Sequence, residues 1–522
     1  MTCIHCEIVH VPIRNGVRLS VHIHRPAGKT RVPAILMYTP YGKGPLGAPH
    51  PIVKHGYATV TFDVRGTGNS EGATDSVYSD AERRDGYAMV EWAAAQPWCN
   101  GNVGMWGISY GAVAALQIAA AAPPHLRAII ARSGTDDPFT EWTNPGSSPR
   151  PFIHMTYSPI MTASNFCPPD PAEVGARWKK MWQYRLRHNV PWGIPFVRHL
   201  EDGPFWRARA IRGKYHRVKC AVFVVDGWAD WYATPLLRIF SKINSPKRAL
   251  IGPWSHEWPD IAVPGPQIDW QHECRKWFGY WLKGENTGVM DEPPVTLFIR
   301  DYIRPASFLK RDAGNFRSEY EWPIARTVNI PFPLGTTVEL KSDPLTGKTT
   351  GMHGGGPYSV NSLMPLDQRD ERCSFTTAPL PRDVEVTGQP RLELRYHATS
   401  PVTQFFVKLC DVAPDGTAAL VTKGYLTVKA GKRATIDLLA CAYRFRRGHR
   451  IRLSITSGDL LNVWPTPTPS VNTIDKTSRL ILPVIPPQAQ PAPKLRIMPA
   501  QKRKFKKTNF KVTRNSIRYS AE

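Results

Sequence analysis

The sequence lacks any apolar segment long enough to cross a membrane, and its cysteines form no regular pattern. The longest apolar candidate, residues 111–122, falls short of the roughly 18 residues that a spanning helix needs and is interrupted by Gln117. The N-terminus has no basic stretch followed by an apolar one, so no signal peptide is predicted. Nine cysteines, an odd number spread from Cys3 to Cys441, do not resemble a disulfide framework. We therefore expect reduced thiols and a cytoplasmic protein.

Acidic residues are also scarce: 42 Asp and Glu stand against 67 Lys and Arg, a formal net charge of +25. Such a balance bears on partners and solubility rather than on fold. Residues 486–522 hold ten of the basic residues and one acid, Glu522, and begin with a proline-rich stretch. We predict a linker followed by a disordered basic tail. Phe505, Phe510 and Tyr519 lie among the charges, so the tail could bind nucleic acid or an anionic surface.

With 522 residues, the chain is too long for one hydrophobic core, and two or three domains are expected. Residues 1–136 and 215–287 alternate apolar runs with helical patterns, which predicts an α/β domain with a mostly parallel sheet covered on both faces. Residues 137–214, the insertion, are rich in aromatic residues, proline and arginine and indicate short helices. Residues 288–485 carry short alternating strands, which favours an all-β sandwich or jelly roll. In the α/β domain, the predicted strands are 17–26, 33–39, 57–63, 103–107, 126–131, 220–226 and 249–251, and the predicted helices are 79–96, 110–122 and 267–282.

The pattern G-x-S-x-G occurs twice, around Ser109 and around Ser70. A nucleophilic serine in such a turn needs a strand directly before it and a helix directly after it. Ser109 lies between the predicted strand 103–107 and the predicted helix 110–122, whose N-terminus would offer N–H groups to a developing oxyanion. Ser70 has neither neighbour. The context therefore favours Ser109 as the nucleophile.

A serine hydroxyl is a weak nucleophile without a base, and in this class of turn an acid and then a histidine follow the serine along the chain. Two acids, Asp226 and Asp230, lie at and just after the end of the predicted strand 220–226. His256 follows the next strand in a loop, where an α/β sheet builds its site. The sequence therefore predicts His256 as the base and one of these two acids as its partner.

Five stretches of the sequence resemble the cocaine esterase/NonD family, which belongs to the X-Pro dipeptidyl-peptidase class of α/β-hydrolases. They are residues 11–17, 40–43, 63–72, 98–111 and 252–256. The resemblance extends over roughly residues 8–485 and implies an α/β-hydrolase domain with the insertion as a helical cap, followed by a C-terminal all-β jelly roll. Two features depart from the family: Gly42 stands where an acid is frequent, and the basic tail has no recognised counterpart.

The resemblance also implies roles for individual residues. Ser109 matches the acylated serine, Asp230 the acid and His256 the base of a Ser-His-Asp triad. The Tyr41 hydroxyl and the backbone N–H of Tyr110 would donate to the oxyanion. The implied reaction is hydrolysis of a small-molecule ester or amide through an acyl-enzyme, with no metal and no organic cofactor.

Other functions compete with this one. An X-Pro dipeptidyl-peptidase or an α-amino acid ester hydrolase needs carboxylates to bind a substrate ammonium. Asp136, Asp137 and Glu141 are candidates, although a solvated loop is the simpler expectation. We therefore favour an ester or amide hydrolase, and the basic charge weakly favours an anionic acyl group. A non-catalytic protein that binds through its tail is less well supported, because the triad is complete. The sequence carries no signal for an oligomeric state.

Three weaker patterns complete the analysis. Cys3 and Cys6 with His10 have a metal-like spacing, but a single C-x-x-C at a terminus expected to be mobile does not make a zinc site. His22 and His24 share one face of a predicted strand and are expected at the surface. The aromatic residues of the insertion would either line a substrate pocket or form its own core.

Overall fold

The computed structural model describes most of the chain, and within that part no helix is long and apolar enough to cross a membrane. The described residues are 3–44, 50–306, 308–347, 373–429, 431–460, 462–487, 497–500 and 512–518. The first nine strands are β1 (Ile4–Pro12), β2 (Arg18–Pro26), β3 (Val32–Thr39), β4 (Ala58–Asp63), β5 (Cys99–Ile108), β6 (Leu126–Arg132), β7 (Ala221–Gly227), β8 (Lys247–Gly252) and β9 (Val295–Asp301). The α-helices are α1 (Asp80–Ala94), α2 (Tyr110–Ala121), α3 (Ser158–Asn165), α4 (Pro171–Val174), α5 (Trp178–His188), α6 (Gly193–Arg198), α7 (Pro204–Arg209), α8 (Ala233–Lys242) and α9 (Trp270–Lys283). The remaining strands are β10 (Gly314–Glu319), β11 (Val328–Pro333), β12 (Val338–Lys341), β13 (Ser374–Thr376), β14 (Val384–Gly388), β15 (Arg391–Ala398), β16 (Val402–Val412), β17 (Ala418–Lys429), β18 (Arg433–Asp437), β19 (Cys441–Phe445), β20 (Arg450–Thr456), β21 (Val471–Ile474), β22 (Arg479–Ile485) and β23 (Val512–Arg518).

Strands β1 to β9 form one mixed sheet in the order β1-β2-β4-β3-β5-β6-β7-β8-β9. The pairs β1–β2 and β2–β4 are antiparallel, and every later pair in this order is parallel. The predicted parallel pairing is confirmed. Because parallel strands share one direction, the loops that follow β5, β6, β7 and β8 meet along a single edge of the sheet.

Helices cover both faces of this sheet, which explains why its central strands are apolar throughout. Alternate residues of a strand point to opposite faces. In β7, Val222 and Val224 belong to the core shared with α1, α2 and α8, whereas Phe223 and Val225 belong to the core shared with α9. All seven residues of β7 are buried. Its unbroken apolar run therefore follows from burial on two faces.

The insertion between β6 and β7 consists of the short helices α3 to α7 and two π-helical turns, Phe139–Thr143 and Phe152–Tyr157. Three of its tryptophans, Trp142, Trp192 and Trp206, are buried in the core that contains α1 and α2. These aromatic residues therefore form an apolar interior through which the insertion packs onto the sheet.

The C-terminal strands form two sheets around a second core. One is antiparallel and has the order β13-β20-β16-β17. The other contains β11, β12, β14, β15, β18, β19, β21 and β22. It is continuous with the first domain, because β19 pairs with β9 and β9 pairs with β8. The region predicted to be rich in strands is confirmed as β structure.

Both ends of the chain differ from the expectation of mobile or disordered segments. All nine residues of β1 pair with β2, and β23 runs parallel to β1. Residues 497–500 lie against the segment before α9, where the Asp269 N–H donates to the Met498 carbonyl at 2.9 Å. The predicted mobile N-terminus and disordered tail are therefore wrong for these segments. The other residues after 487 lie outside the described part of the chain.

Candidate active site

Ser109 occupies a sharp turn between β5 and α2. Its backbone has φ 58° and ψ −118°, a conformation that costs on the order of 1–3 kcal/mol for a residue with a side chain. A Cβ at Gly107 would come within 2.2 Å of the Gly111 carbonyl carbon, so only glycine fits there. The Ser109 N–H donates to the Arg132 carbonyl at 2.9 Å, and its own carbonyl accepts two N–H groups from the first turn of α2. The strained turn is thus held by β6 on one side and by α2 on the other.

Tyr110 is the first residue of α2, so its backbone N–H has no acceptor within the helix. Its ring is buried between Tyr78 and Trp192, with centroid distances of 4.3 and 5.8 Å. Its hydroxyl donates to the Glu82 carboxyl group. Burial raises the pKa of Glu82 to about 8 despite this hydrogen bond, so the group carries a proton at neutral pH. The packed ring fixes the first turn of α2 next to Ser109.

Asp230 and His256 are joined by a hydrogen bond of 2.7 Å between Oδ2 and Nδ1. The Ser133 hydroxyl donates to the same Oδ2 at 2.7 Å, and the Trp231 N–H donates to Oδ1 at 2.7 Å. Burial would raise the pKa of Asp230, but the neighbouring His256 and the Arg132 charge outweigh burial and lower it. The carboxylate is therefore ionised and placed to stabilise a positive charge on the imidazole.

The second acid, Asp226, is fully buried at the end of β7. Its carboxyl group contacts the Arg132 guanidinium, and its Oδ1 lies 3.0 Å from the Ser133 hydroxyl oxygen. Burial and the nearby Asp230 charge raise its pKa well above the ordinary value. Both acids lie near the end of the same strand, so the sequence left either one possible as the partner of His256. In the structure, Asp230 and not Asp226 contacts His256.

Arg132, at the end of β6, connects two parts of the site and was missed by the sequence analysis. Its buried guanidinium donates to the carbonyls of Ser255 and Glu257, the residues on either side of His256. Its own carbonyl accepts the Ser109 N–H. One residue therefore positions both the serine turn and the histidine loop. Its place at the end of a central strand was the one signal available in the sequence.

Tyr41 follows β3 and lies beside Ser109. Its hydroxyl lies 3.2 Å from the Tyr157 hydroxyl, and the Ser109 side chain is close enough to act on its pKa. Although 46% of Tyr41 is exposed, the protein packed around its hydroxyl raises the pKa. The phenol therefore stays protonated and can donate a hydrogen bond. Tyr157 is a second residue that the sequence analysis did not single out.

A buried ionic cluster holds the Tyr41 loop from behind. The Lys43 ammonium, with no exposed side-chain surface, contacts the carboxylates of Asp63 at 3.1 Å and Glu173 at 2.8 Å. The Lys43 N–H also donates to Asp63 at 2.6 Å. Gly42 has φ 76°, in the left-handed region that favours glycine. The glycine that departs from the family pattern therefore fits the turn that joins Tyr41 to this cluster.

The five predicted residues thus form two contacting groups. Tyr41 and Tyr110 lie beside Ser109, and Asp230 contacts His256. Among the described residues, no hydrogen bond joins His256 to Ser109. Hydrogen bonds between a nucleophile and its base are often long without substrate and shorten when it binds.

The motif at residues 63–72 anchors the insertion. The Ser70 hydroxyl is buried, donates to the Asp63 carbonyl at 2.8 Å and accepts the Ser20 N–H at 2.9 Å. Arg185 of α5 is also buried and donates to three backbone carbonyls of this motif. The second G-x-S-x-G is therefore structural, as its lack of a preceding strand and following helix indicated.

The three acids at the start of the insertion do not lie in a solvated loop, and that expectation was wrong. The ion pairs are Asp136–Arg238, Asp137–Arg212 and Glu141–Arg238. Asp136 is fully buried, and Asp137 is 4% exposed. Each of the three carboxylates already has an arginine partner, with Arg238 shared by Asp136 and Glu141, which favours a structural role for these acids over binding of a substrate ammonium.

Within the described ranges, no group of three or more His, Cys, Asp or Glu side chains could hold a metal ion. Cys6 lies buried in β1. His22, which we expected at the surface, is buried and bonded to Glu173 at 3.0 Å. A cavity of about 540 Å³ is lined by residues of β2, β4 and α9 and by none of the five predicted site residues.

Two family models match the chain. The model for X-Pro dipeptidyl-peptidase (S15 family) matches residues 15–258, and the model for the X-Pro dipeptidyl-peptidase C-terminal non-catalytic domain matches residues 287–505. The second match continues past residue 486. The expectation that the basic extension has no counterpart in the family is therefore wrong as far as residue 505.

Similar proteins agree with these models. A cocaine esterase from Rhodococcus sp. (strain MB1 Bresler) is 27% identical over 534 residues, which cover 86% of this chain and 90% of the relative. A solved CocE/NonD family hydrolase from Staphylococcus aureus has a TM-score of 0.73 at 19% identity, over 93% of this chain and 97% of that one. A solved α-amino acid ester hydrolase has the same TM-score and identity, over 92% and 97% of the two chains, and like the previous structure it bears on the fold alone. The two domain matches and the Rhodococcus relative show that the chain is a serine hydrolase and belongs to the cocaine esterase/NonD family of the X-Pro dipeptidyl-peptidase class.

Proposed function

We propose that this protein hydrolyses a carboxylic ester or amide through an acyl-enzyme formed on Ser109. The proposal rests on a strained serine turn and an Asp230–His256 pair that Arg132 connects at the same edge of the sheet. Backbone strain of this kind persists only where the surrounding structure enforces it, and it is frequent at active sites. Arg132 supports the proposal, because it contacts both elements.

In the proposed reaction, His256 takes the proton of the Ser109 hydroxyl as Oγ attacks the carbonyl carbon of the substrate. Asp230, kept ionised by its lowered pKa, stabilises the resulting imidazolium. His256 then gives that proton to the leaving alcohol or amine as the bond to the leaving group breaks. A water molecule attacks the acyl-enzyme with His256 again as the base, which releases the carboxylic acid and restores Ser109.

We assign the oxyanion to two donors, the Tyr41 hydroxyl and the Tyr110 N–H. The N–H group lies at the N-terminus of α2, where the helix dipole is positive. The Tyr41 hydroxyl is protonated and adjacent to Ser109. The Tyr157 hydroxyl, 3.2 Å away, would keep the phenol oriented. Removing one such donor typically lowers kcat by about 10²–10³-fold.

We also propose the finer architecture. Residues 1–136 and 215–287 would form an α/β-hydrolase domain, residues 137–214 its helical cap, and residues 288–485 a jelly roll. The strand order β1-β2-β4-β3-β5-β6-β7-β8 and the two sheets around the C-terminal core support this assignment.

An acyl substrate without a free amine is favoured. Asp136, Asp137 and Glu141, the acids that would recognise an ammonium, are each paired with an arginine. A relative of this chain is named a cocaine esterase. The match to the S15 family model supports a second candidate function, that of an X-Pro dipeptidyl-peptidase.

Hydrolysis of short p-nitrophenyl esters and of an X-Pro p-nitroanilide tests the proposal. We expect the wild-type protein to cleave the esters and Ser109→Ala to lose about 10⁴-fold or more in kcat. Ser70→Ala is the matched control from the other G-x-S-x-G and should keep ester turnover. Activity that survives Ser109→Ala would contradict the assignment, and cleavage of the anilide would favour the peptidase.

A further inference from the structure

Arg150, in the insertion, is a buried cation with few partners. Only 3% of its surface is exposed. One Nη lies 3.4 Å from the Glu141 carbonyl oxygen, near the limit for a hydrogen bond, and Nε has no acceptor in the described part of the chain. The guanidinium lies over the Trp231 ring, 3.8 Å from its centroid. Burial lowers the pKa of Arg150, which reflects the cost of holding this charge away from water.

Three other arginines with 5% or less of their side-chain surface exposed have carboxylate partners. The pairs are Arg132–Asp226, Arg248–Glu273 and Arg300–Asp312. Arg185 instead donates to backbone carbonyls. In the part of the chain that the structure describes, Arg150 has neither a carboxylate partner nor such a set of carbonyls. Leaving a buried charge unpaired is strongly unfavourable, so this position is suited to an external anion.

Two acids act electrostatically on Arg150, but both are bonded elsewhere. Glu141 pairs with Arg238 at 2.8 Å. Asp230 is bonded to His256 at 2.7 Å. Among the described residues, no direct contact with a carboxylate therefore compensates the charge of Arg150.

The segment that carries Arg150 is docked on β17 of the C-terminal domain. The Ser148 and Thr427 hydroxyls lie 2.6 Å apart across this contact. Strand β17 also brings Lys423, which is 3% exposed, into electrostatic range of Arg150. The pKa of Lys423 is lowered to about 8, mainly by burial and in part by the nearby Arg150 charge. The Lys423 ammonium is paired with the Asp459 carboxylate at 3.2 Å, so this pair does not compensate the charge of Arg150.

Two aromatic rings connect Arg150 to the proposed base. Trp231 and Tyr232 directly follow Asp230, and their ring centroids are 5.9 Å apart. The Trp231 ring contacts the Arg150 guanidinium, and the Tyr232 ring is 5.7 Å from the ring of His256. Arg150 thus lies two side chains away from the reacting groups.

The same segment also reaches the oxyanion tyrosine. A helical turn begins at Arg150, whose carbonyl accepts the Ile153 N–H, and continues through the turn Phe152–Tyr157. The Tyr157 hydroxyl contacts that of Tyr41. One continuous segment therefore links Arg150 to the hydroxyl that contacts the proposed oxyanion donor.

We propose that Arg150 binds a carboxylate at the far end of the acyl group, so that the substrate is a half-ester or half-amide of a short dicarboxylic acid. This inference rests on the proposed function, because the other end of that acyl group is attached to Ser109. A carboxylate would give Nε and one Nη the paired acceptors that a guanidinium favours. The net charge of +25 would also attract such a substrate.

The test compares matched esters that differ in charge. The monoethyl esters of succinic, glutaric and adipic acids are measured beside the same esters with a terminal carboxamide, and ethanol release gives kcat/KM. We expect the wild-type protein to prefer the carboxylate by about 10- to 100-fold at one chain length, the range of a charge-assisted pair. Arg150→Met should bring this ratio to within about 3-fold of one. Arg187→Met removes the same charge from an exposed position on α5 and should preserve the ratio.

A wild-type ratio near one, or an unchanged ratio in Arg150→Met, would overturn the inference. Carboxamide-ester turnover that disappears in Ser109→Ala would still support the proposed function, so the two failures are distinguishable. If the wild-type protein hydrolyses neither ester, this substrate class is overturned. Hydrolysis of the p-nitrophenyl esters then tests the proposed function on its own. If Arg150→Met does not fold, Arg150→Lys decides, because lysine keeps the charge but cannot form the paired contact. A several-fold fall in its ratio supports the inference, and a wild-type ratio refutes it.

Discussion

Replacing Tyr41 with phenylalanine removes one hydroxyl from the proposed oxyanion site and changes little else. Tyr41 is 46% exposed, so the core does not depend on it. The hydroxyl has two neighbours, the Ser109 side chain and the Tyr157 hydroxyl at 3.2 Å. Lys43 and Asp63, which hold the loop from behind, are untouched by the substitution.

The expected effect is large on turnover and small on stability. If the Tyr41 hydroxyl donates to the oxyanion, Tyr41→Phe should lower kcat by about 10²–10³-fold, which corresponds to about 2.7–4 kcal/mol of transition-state stabilisation. KM should change little, because the hydroxyl binds a charge that develops after the substrate is bound. Loss of the contact with Tyr157 should cost no more than about 1 kcal/mol of unfolding free energy.

The assay is steady-state hydrolysis of p-nitrophenyl butyrate, with thermal unfolding as a check on the fold. Tyr157→Phe is the matched control, since it removes the other hydroxyl of the pair and leaves the Tyr41 donor in place. We expect the control to lose no more than about 10-fold in kcat, the effect of a weakened orienting hydrogen bond. A loss below about 3-fold in Tyr41→Phe, or equal losses in both variants, would refute the assignment of Tyr41 as an oxyanion donor.

Three further substitutions test other parts of the structure. In the folded protein, Glu82 stays protonated up to its pKa of about 8, whereas in the unfolded chain it ionises near pH 4.5. Between these two pH values the unfolded state binds fewer protons than the folded state, so the free energy of unfolding falls as pH rises. Denaturant unfolding from pH 5 to 7.5 should show that Glu82→Gln removes up to about 1.4 kcal/mol per pH unit of this slope, and equal slopes would contradict the raised pKa. Arg185→Met should lower the unfolding free energy by about 3 kcal/mol or more in the same assay, because it leaves buried carbonyls of the 63–72 motif without donors. Ser70→Ala should cost about 1–3 kcal/mol of stability while kcat/KM on p-nitrophenyl butyrate changes less than about 3-fold, and a loss near that of Ser109→Ala would overturn its structural role.

The local features of the site could be predicted from the sequence. Ser109 stands between a strand and a helix, and that order distinguishes it from Ser70 without any knowledge of the fold. The position of His256 followed from a similar argument, because the carboxyl ends of parallel strands meet at one edge. The first inference uses only residues that are close along the chain. The second uses a rule that holds for all parallel sheets.

The partners of these residues could not be predicted in the same way. Arg132 contacts Asp226, 94 residues later, and the loop around His256, more than 120 residues later. Such contacts depend on strand order and register, and no local pattern encodes them. The same limit applies to the acids at the start of the insertion, which look solvated in sequence because their arginine partners lie on distant segments.

The ends of the chain show a different limit. The spacing of Cys3, Cys6 and His10 is typical of metal ligands and hides the strand pattern of β1, which is why a mobile terminus is the expectation from sequence. Its stability as a strand comes from β2 on one side and β23 on the other. Because β23 is separated from β1 by nearly the whole chain, the sequence of either strand alone does not indicate the pairing.

The C-terminal domain has a positioning role that its family name, a non-catalytic domain, does not suggest. It contacts the insertion where β17 meets Ser148, two residues before Arg150. It also contacts α8, which begins just after the Asp230 loop, where the Ala440 N–H donates to the Thr234 hydroxyl at 2.8 Å. Both the proposed carboxylate site and the acid of the Asp230–His256 pair are therefore held on elements that this domain supports. A displacement of the C-terminal domain would accordingly disturb acyl-group recognition and the acid–base pair together, because neither is anchored by the sheet alone.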